Sequence, residues 1–293
     1  MKIKAPAKLN LSLEIMGKRP DGYHDISSIF QTVSLFDSID VQPADEIYLN
    51  TPGFNLPFTE NIIYKTALEM RRKYGVANGA RIVLEKEIPI SAGLGGGSSD
   101  AASTIKILND LWGLNLTTSE LSSFASTIGS DVPFFIEGGT SFVHGRGDLI
   151  RELPDLQLGW IVIIVPDIEI TNKTATMYSY LSKESYTAGG LSRKLEARIR
   201  NGGDCPPQLM FNGFFDIAIA NQPGLEKVLA VLNKVGIQEI HLTGSGPSLF
   251  TVVTRKEIAT ALSLLLNHKY QILYQVVSQM YHFLFFQQIF FDS

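Results

Sequence analysis

The sequence predicts an α+β protein of two domains, and three observations predict it. In the first half, strand-like stretches are followed by helix-like ones. A continuous apolar run, Leu158–Val165 (LGWIVIIV), then starts a second pattern as a strand buried on both faces. The chain has 293 residues, 45% hydrophobic and 18% charged, enough for a sizeable core and too apolar for a disordered chain. The boundary falls in the loop around Arg151–Asp155, which divides the chain into 1–153 and 154–278.

Each element has a local reason. In MKIKAPAKLNLSLEI, Leu9, Leu11, Leu13 and Ile15 alternate with polar residues, the pattern of a strand with one buried face. Ile29–Val41 and Arg81–Leu84 also read as strands. Ile62, Ile63, Ala67 and Met70 place a helix over Asn61–Tyr74, stopped by Gly75. Ala101, Ile105, Leu108, Leu111 and Trp112 mark a helix that starts at about Asp100 and stops at Gly113. Thr117 and Glu120 have capping-box spacing ahead of Leu121, Phe124, Ala125 and Ile128. In the second half, Ser182–Pro207 reads as helix and loop. Leu225–Val235 and Ile258–Leu266 are helices, and Ile237–Leu242, Leu249–Val253 and Gln271–Val277 are strands.

Composition narrows the function classes. The formal net charge is −4 and no basic block stands out, so a nucleic-acid partner is not expected. The single cysteine, Cys205, excludes an internal disulfide and a cysteine-rich metal site, and reads as an incidental thiol. The early lysines are not followed by an apolar segment, so no signal peptide is expected and the protein reads as cytoplasmic. The apolar tail Tyr281–Phe291 is shorter than the ~20 residues a bilayer span needs. Residues 279–293 are expected to pack on the body or in a homodimer contact, with no membrane partner.

The stretch PISAGLGGGSSD, Pro89–Asp100, carries the first chemical signal. Consecutive glycines are costly to order, so a run of them needs a reason. A P-loop would need Gly-x-x-x-x-Gly-Lys-Ser/Thr, and no Gly-Lys-Ser/Thr occurs. A dinucleotide fingerprint would need a third glycine where Ser98 stands. What remains is an anion nest. Gly95, Gly96 and Gly97 leave the backbone bare, Ser98 and Ser99 add hydroxyls, and a helix N-terminus follows.

From Pro89 through Ile90, Ser91, Ala92, Gly93, Leu94 and the three glycines to Ser99, the motif resembles the nucleotide loop of the GHMP kinases, small-molecule kinases that include galactokinase, homoserine kinase and mevalonate kinase. Four more segments, in order, are similar to one branch of that family, whose acceptor is a cytidine-diphosphate-linked methylerythritol. They are Pro6–Leu11, Asp21–His24, Gly129–Phe135 and Thr243–Ser248. The resemblance implies a ribosomal protein S5 domain 2-like N-terminal domain and a ferredoxin-like α+β C-terminal domain. It implies ATP as co-substrate with Mg²⁺, whose ligands it does not assign. The alternatives are a homoserine- or mevalonate-type kinase, or a non-catalytic nucleotide-binding member.

Residue by residue, the resemblance makes Asp131 the group that receives the acceptor's proton and Lys8 its charged neighbour. A lone strand lysine would otherwise be a solvated charge, and a lone aspartate there a turn residue. Asn10 is implied to orient the acceptor, and Tyr23 and His24 to hold cytosine. Thr174 and Tyr178 are implied to close over it, although a core-facing tyrosine fits the helical spacing as well. Asn61 and Lys86 are implied to lie near adenine, with an ordinary surface position as the other reading. The turn Gly244-Ser245-Gly246 is implied to shape the active site, and by itself reads as a tight strand connection.

Overall fold

The computed structural model describes residues 1–53, 57–156, 158–168, 173–270 and 273–278; the tail 279–293 lies outside the described residues. Strands β1 (Lys2–Lys18) and β2 (His24–Ala44) form a long antiparallel ribbon. With β1 along one edge of β2, the other edge is shared. Strand β4 (Gly79–Glu85) pairs with Ser38–Ala44 and β5 (Thr140–Gly145) with Ile26–Gln31. Strand β3 (Ile47–Asn50) flanks β4, and β6 (Leu149–Leu153) flanks β5.

Helices α1 (Ile62–Tyr74), α2 (Gly96–Leu111), α3 (Thr118–Ile128) and α4 (Phe134–Glu137) share a core with this sheet that includes Ile39, Ile63, Met70, Ile105, Leu108, Phe124 and Phe135. Their ends follow from the sequence. Asn61 Oδ1 accepts the Ile63 amide at 2.9 Å to start α1, and Gly75 at φ 64° stops it. The Thr117–Glu120 capping box is formed in both directions.

The second sheet holds β7 (Trp160–Val165), β8 (His241–Leu242), β9 (Leu249–Val253) and β10 (Leu273–Ser278) in the order β10-β7-β9-β8, all antiparallel. That is the order of a split β-α-β unit, the ferredoxin-like arrangement. Helices α5 (Lys173–Ser179), α6 (Gly190–Arg200), α7 (Phe215–Asn221), α8 (Leu225–Lys234) and α9 (Lys256–Tyr270) complete this half.

The apolar run of β7 is buried on both faces, as its composition predicts. Ile161, Ile163 and Val165 meet Leu9, Leu11 and Val33 of the first sheet in one core. Val162 and Ile164 share another with Leu225, Leu232, Ala259 and Leu266. One apolar layer therefore joins the two sheets.

Three expectations change. Strand β1 has no solvent face: Lys8, Asn10, Ser12 and Glu14 are buried along with the leucines, Lys8 against Phe30 and Asp131, and Asn10 and Glu14 bonded to Thr243 and Ser192 of the second half. Helix α2 starts at Gly96 rather than near Asp100, with Gly95 at φ 72° turning the chain into it. Gly96 to Ser99 are thus its first turn, and no serine side chain caps it. Strand β8 is confined to two residues, since Ile237–Ile240 make no ladder.

Shortening Ile163 to alanine opens a cavity in the layer between the sheets. We expect Ile163→Ala to destabilise the protein by about 2–5 kcal/mol in urea unfolding, with the loss shared by probes in both halves.

Candidate active site

The site begins with a lysine in the wrong place for a lysine. Lys8 stands mid-strand in β1 with only 4% of its surface exposed. Its ammonium donates to Asn10 Oδ1 at 2.5 Å, lies 4.6 Å from the Phe30 ring centroid and is 3.8 Å from Asp131 Oδ2. Burial lowers the Lys8 pKa from its ordinary value, and the charge of Asp131 opposes that shift. Asn10 is held in turn: its amide Nδ2 donates to Ser28 Oγ at 3.0 Å, and its backbone N–H donates to Thr243 Oγ1 at 3.1 Å.

Asp131 reaches this point because the chain turns sharply between α3 and α4. The turn is tied by the Val132 amide on Gly129 O at 3.3 Å and anchored by buried Val132, Phe134 and Phe135. The carboxylate itself stays about one-third exposed.

The glycine stretch sorts into anchors and bare backbone. Ala92 and Leu94 bury their side chains, while Ile90 and Ser91 are exposed. The Lys8 amide donates to Leu94 O at 2.9 Å, which fixes the loop to β1. A Cβ on Gly95 would stand 2.8 Å from Phe135 Cζ and 3.0 Å from Lys8 Cγ, so only glycine fits there. The amides of Gly96, Gly97 and Ser98 head α2 with no intrahelical acceptor, which makes them donors for an anion. Pro89 lies half-buried ahead of the loop.

The two glycine turns are back to back. Thr243 Oγ1 donates to Gly93 O at 3.4 Å, and the Ser248 amide donates to Ala92 O at 3.3 Å. A Cβ on Gly93 would come within 2.5 Å of Thr243 O, and one on Gly244 within 3.0 Å of Gly93 O. Gly244, Ser245 and Gly246 are thus more than a strand connection: their backbone forms the wall behind the first loop.

Neither Asn61 nor Lys86 is an ordinary surface residue. Asn61 is buried as the α1 cap. Lys86 donates to Asp100 Oδ2 at 2.8 Å and to Asp37 Oδ2, and its Nζ is the atom nearest a Cβ on Gly96, at 2.9 Å. This buried triad underlies the first turn of α2. Burial pushes the Asp100 carboxyl up to about 8; Lys86 pulls it down and Asp37 pushes it further up.

At the other end, Tyr23 is exposed in the turn before β2 and His24 opens the strand. The His24 ring lies 4.8 Å from that of Tyr178, and Tyr178 packs edge-on to Phe214 at 4.9 Å. Burial, then the charge of Asp131, raises the Tyr178 hydroxyl pKa. Tyr178 therefore serves the core and also faces the site. Thr174 lies one turn earlier on α5, exposed. Sequence reasoning missed two groups. Arg146 in the β5–β6 turn stacks its guanidinium 5.1 Å from the Tyr23 ring centroid, next to Gly147, which borders Asp131. The glycines on either side of Arg146 were the available signal. Lys173 at the start of α5 is the other, and no local pattern marks it.

A two-sheet α+β fold with a bare-backbone helix start in place of a P-loop defines a kinase of the GHMP class, and residues 61–139 match the GHMP kinases N terminal domain. The chain is 38% identical to the 4-diphosphocytidyl-2-C-methyl-D-erythritol kinase of Dehalococcoides mccartyi, over 87% of this chain and 90% of the relative. It is 35% identical to that of Exiguobacterium sibiricum over 89% and 91%. A crystal structure of 4-(cytidine 5'-diphospho)-2C-methyl-D-erythritol kinase superposes with a TM-score of 0.79, 29% identity, and coverage of 95% of this chain and 99% of that one. The homoserine kinase of Cytophaga hutchinsonii shares the fold, with a TM-score of 0.74, 19% identity and 96% of each chain covered. The chain belongs to the 4-diphosphocytidyl-2-C-methyl-D-erythritol kinase family. Among the described residues no helix is long and apolar enough to cross a membrane.

Two substitutions test the glycine geometry. Gly95→Ala strains a left-handed residue against Phe135 and Lys8 and should cost about 1–3 kcal/mol. Gly97→Ala, whose nearest neighbour would be 3.9 Å away, should be neutral or stabilising in the same unfolding assay. A third test concerns the triad. The Asp100 pKa lies above its unfolded value of 3.8, so unfolding releases a proton, and stability falls as pH rises from about 4 to about 8. Thermal unfolding across that range should show this slope, and Asp100→Asn should flatten it.

Proposed function

We propose that this protein transfers the γ-phosphoryl group of ATP to the 2-hydroxyl of 4-diphosphocytidyl-2-C-methyl-D-erythritol, a step of the methylerythritol phosphate route to isopentenyl diphosphate. The observation that carries the reading is the Lys8–Asp131 pair, 3.8 Å apart. It stands beside the head of α2, where Gly95 packs on the stem of Lys8. Phosphoryl transfer needs positioning and charge stabilisation more than covalent participation by the protein. Here the amides of Gly96, Gly97 and Ser98 face the phosphates. The acceptor oxygen forms its bond to the γ-phosphorus as the bond to the β–γ bridging oxygen breaks, and ADP leaves. Asp131 receives the hydroxyl proton, and Lys8 offsets negative charge on the acceptor oxygen.

Mg²⁺ bound with ATP would supply neutralisation of the phosphate charge. Among the described residues no group of three acidic, histidine or cysteine side chains could hold an ion on its own. Asp131 and the Ser98 hydroxyl would be the nearby oxygen donors to the ion. A cytosine fits the aromatic end, where Tyr23, His24 and Tyr178 present ring faces and polar edges. Arg146 lies over Tyr23 next to the turn bordering Asp131, the position of the acceptor's diphosphate in a substrate that spans both ends. Use of ATP agrees with a cytoplasmic setting.

Mass analysis of a panel with Mg-ATP tests this. The cytidine-linked acceptor should gain one phosphoryl group while homoserine and mevalonate stay unchanged; phosphorylation of either of those instead reassigns the acceptor. Asp131→Asn should lower kcat by roughly a hundred-fold or more with ATP affinity retained. Arg146→Met should raise KM for the acceptor more than it lowers kcat.

A further inference from the structure

Lys173 is a buried cation with no assigned task. It is 7% exposed, and among the described residues no carboxylate pairs with it. Its ammonium donates to Ser91 O at 2.6 Å and to Gly246 O. One carbonyl from each glycine turn thus meets on a single nitrogen. Both are aimed there by backbone that residues rarely adopt: Ser91 has φ 54° without being glycine, and Gly246 has φ 80°. A strained non-glycine residue next to a nucleotide loop points to function more often than to chance.

An ammonium has three N–H donors. The two carbonyls use two, and the third has no partner among the described residues. The Ser99 hydroxyl in the first turn of α2 and the Ser248 hydroxyl after the second glycine turn are also buried without a hydrogen-bond partner among the described residues. Burial, and then the charge of Lys8, lowers the Lys173 pKa to about 7. Two ammonium groups therefore sense each other; among the described residues the carboxylate paired with Lys8 is Asp131, while Lys86 is paired elsewhere, with Asp37 and Asp100. A buried charge without a counter-ion is costly, and a bound anion removes that cost.

We propose that Lys173 is a phosphate-binding residue, whose third N–H donates to a phosphate oxygen of ATP between the two glycine turns. The inference rests on the kinase reading above. It makes the second half of the chain a contributor to the nucleotide site. The short helix α5 then carries a triphosphate contact at its first residue and the aromatic Tyr178 a little over one turn later, so one element senses both substrates.

The test is calorimetric binding of ATP and of adenosine to the full chain and to Lys173→Met, with steady-state kinetics alongside. A charge-assisted hydrogen bond lost in a buried site corresponds to roughly a ten- to hundred-fold weakening. ATP affinity should fall by that factor and KM for ATP rise to match, with adenosine affinity unchanged and Lys173→Arg recovering part of the loss. Unchanged ATP affinity, or an equal loss for adenosine, overturns the proposal and leaves Lys173 as a tie between turns. Should the methionine variant not fold, Lys173→Gln keeps donors for the two carbonyls without the charge, and the same two outcomes apply. If the unaltered protein binds ATP but does not phosphorylate the cytidine-linked acceptor, the acceptor assignment fails while the phosphate contact is still tested by binding.

Discussion

Burying the ammonium of Lys8 in the middle of a strand is the constraint around which the rest of the molecule is organised. Water would solvate that charge far better than a protein interior does, so the fold must surround it with compensating groups. Asn10 accepts its hydrogen bond, the Phe30 ring offers a negative face, and Asp131 supplies the opposite charge. Each comes from a different place: the same strand, its neighbour β2, and the turn between α3 and α4. The lysine cannot be in position unless all three have folded.

The same strand ties the site to the second half. The Asn10 amide is bonded to Thr243, and Glu14 accepts the Ser192 amide at 2.7 Å. Leu9 and Leu11 on the other face share a core with Ile161 and Ile163. Active-site polarity and inter-sheet packing thus alternate along one strand. A change on either face moves the other, because the period-two geometry leaves no independent register. The two glycine turns obey a similar rule. They approach so closely that a methyl group on either would strike backbone, which makes bare backbone a packing requirement there.

Much of this was legible in the chain itself. Local rules sufficed where neighbours in sequence decide the outcome: the Asn61 and Gly75 ends of α1, the Thr117–Glu120 box and the buried run of β7. The start of α2 was misplaced by four residues because glycine and serine are weak helix formers by propensity. Here Gly95 turns the backbone and the Lys86 triad packs beneath the first turn, so tertiary contacts override that preference. The polar side of β1 was misjudged because alternation cannot say whether the polar face meets water or a second layer of protein.

The amino-acid sequence by itself determined the periodicities, the caps and the bare backbone of the glycine stretch. These depend on residue type and spacing, which the chain carries locally. Only the tertiary structure decided what surrounds them: that Lys86 pairs with Asp37 and Asp100, that Arg146 lies over Tyr23, and that Lys173 joins turns 82 and 73 residues away in the chain. Partners at such separations are selected by how two sheets pack across a shared apolar layer, and no local pattern of residues encodes that distance.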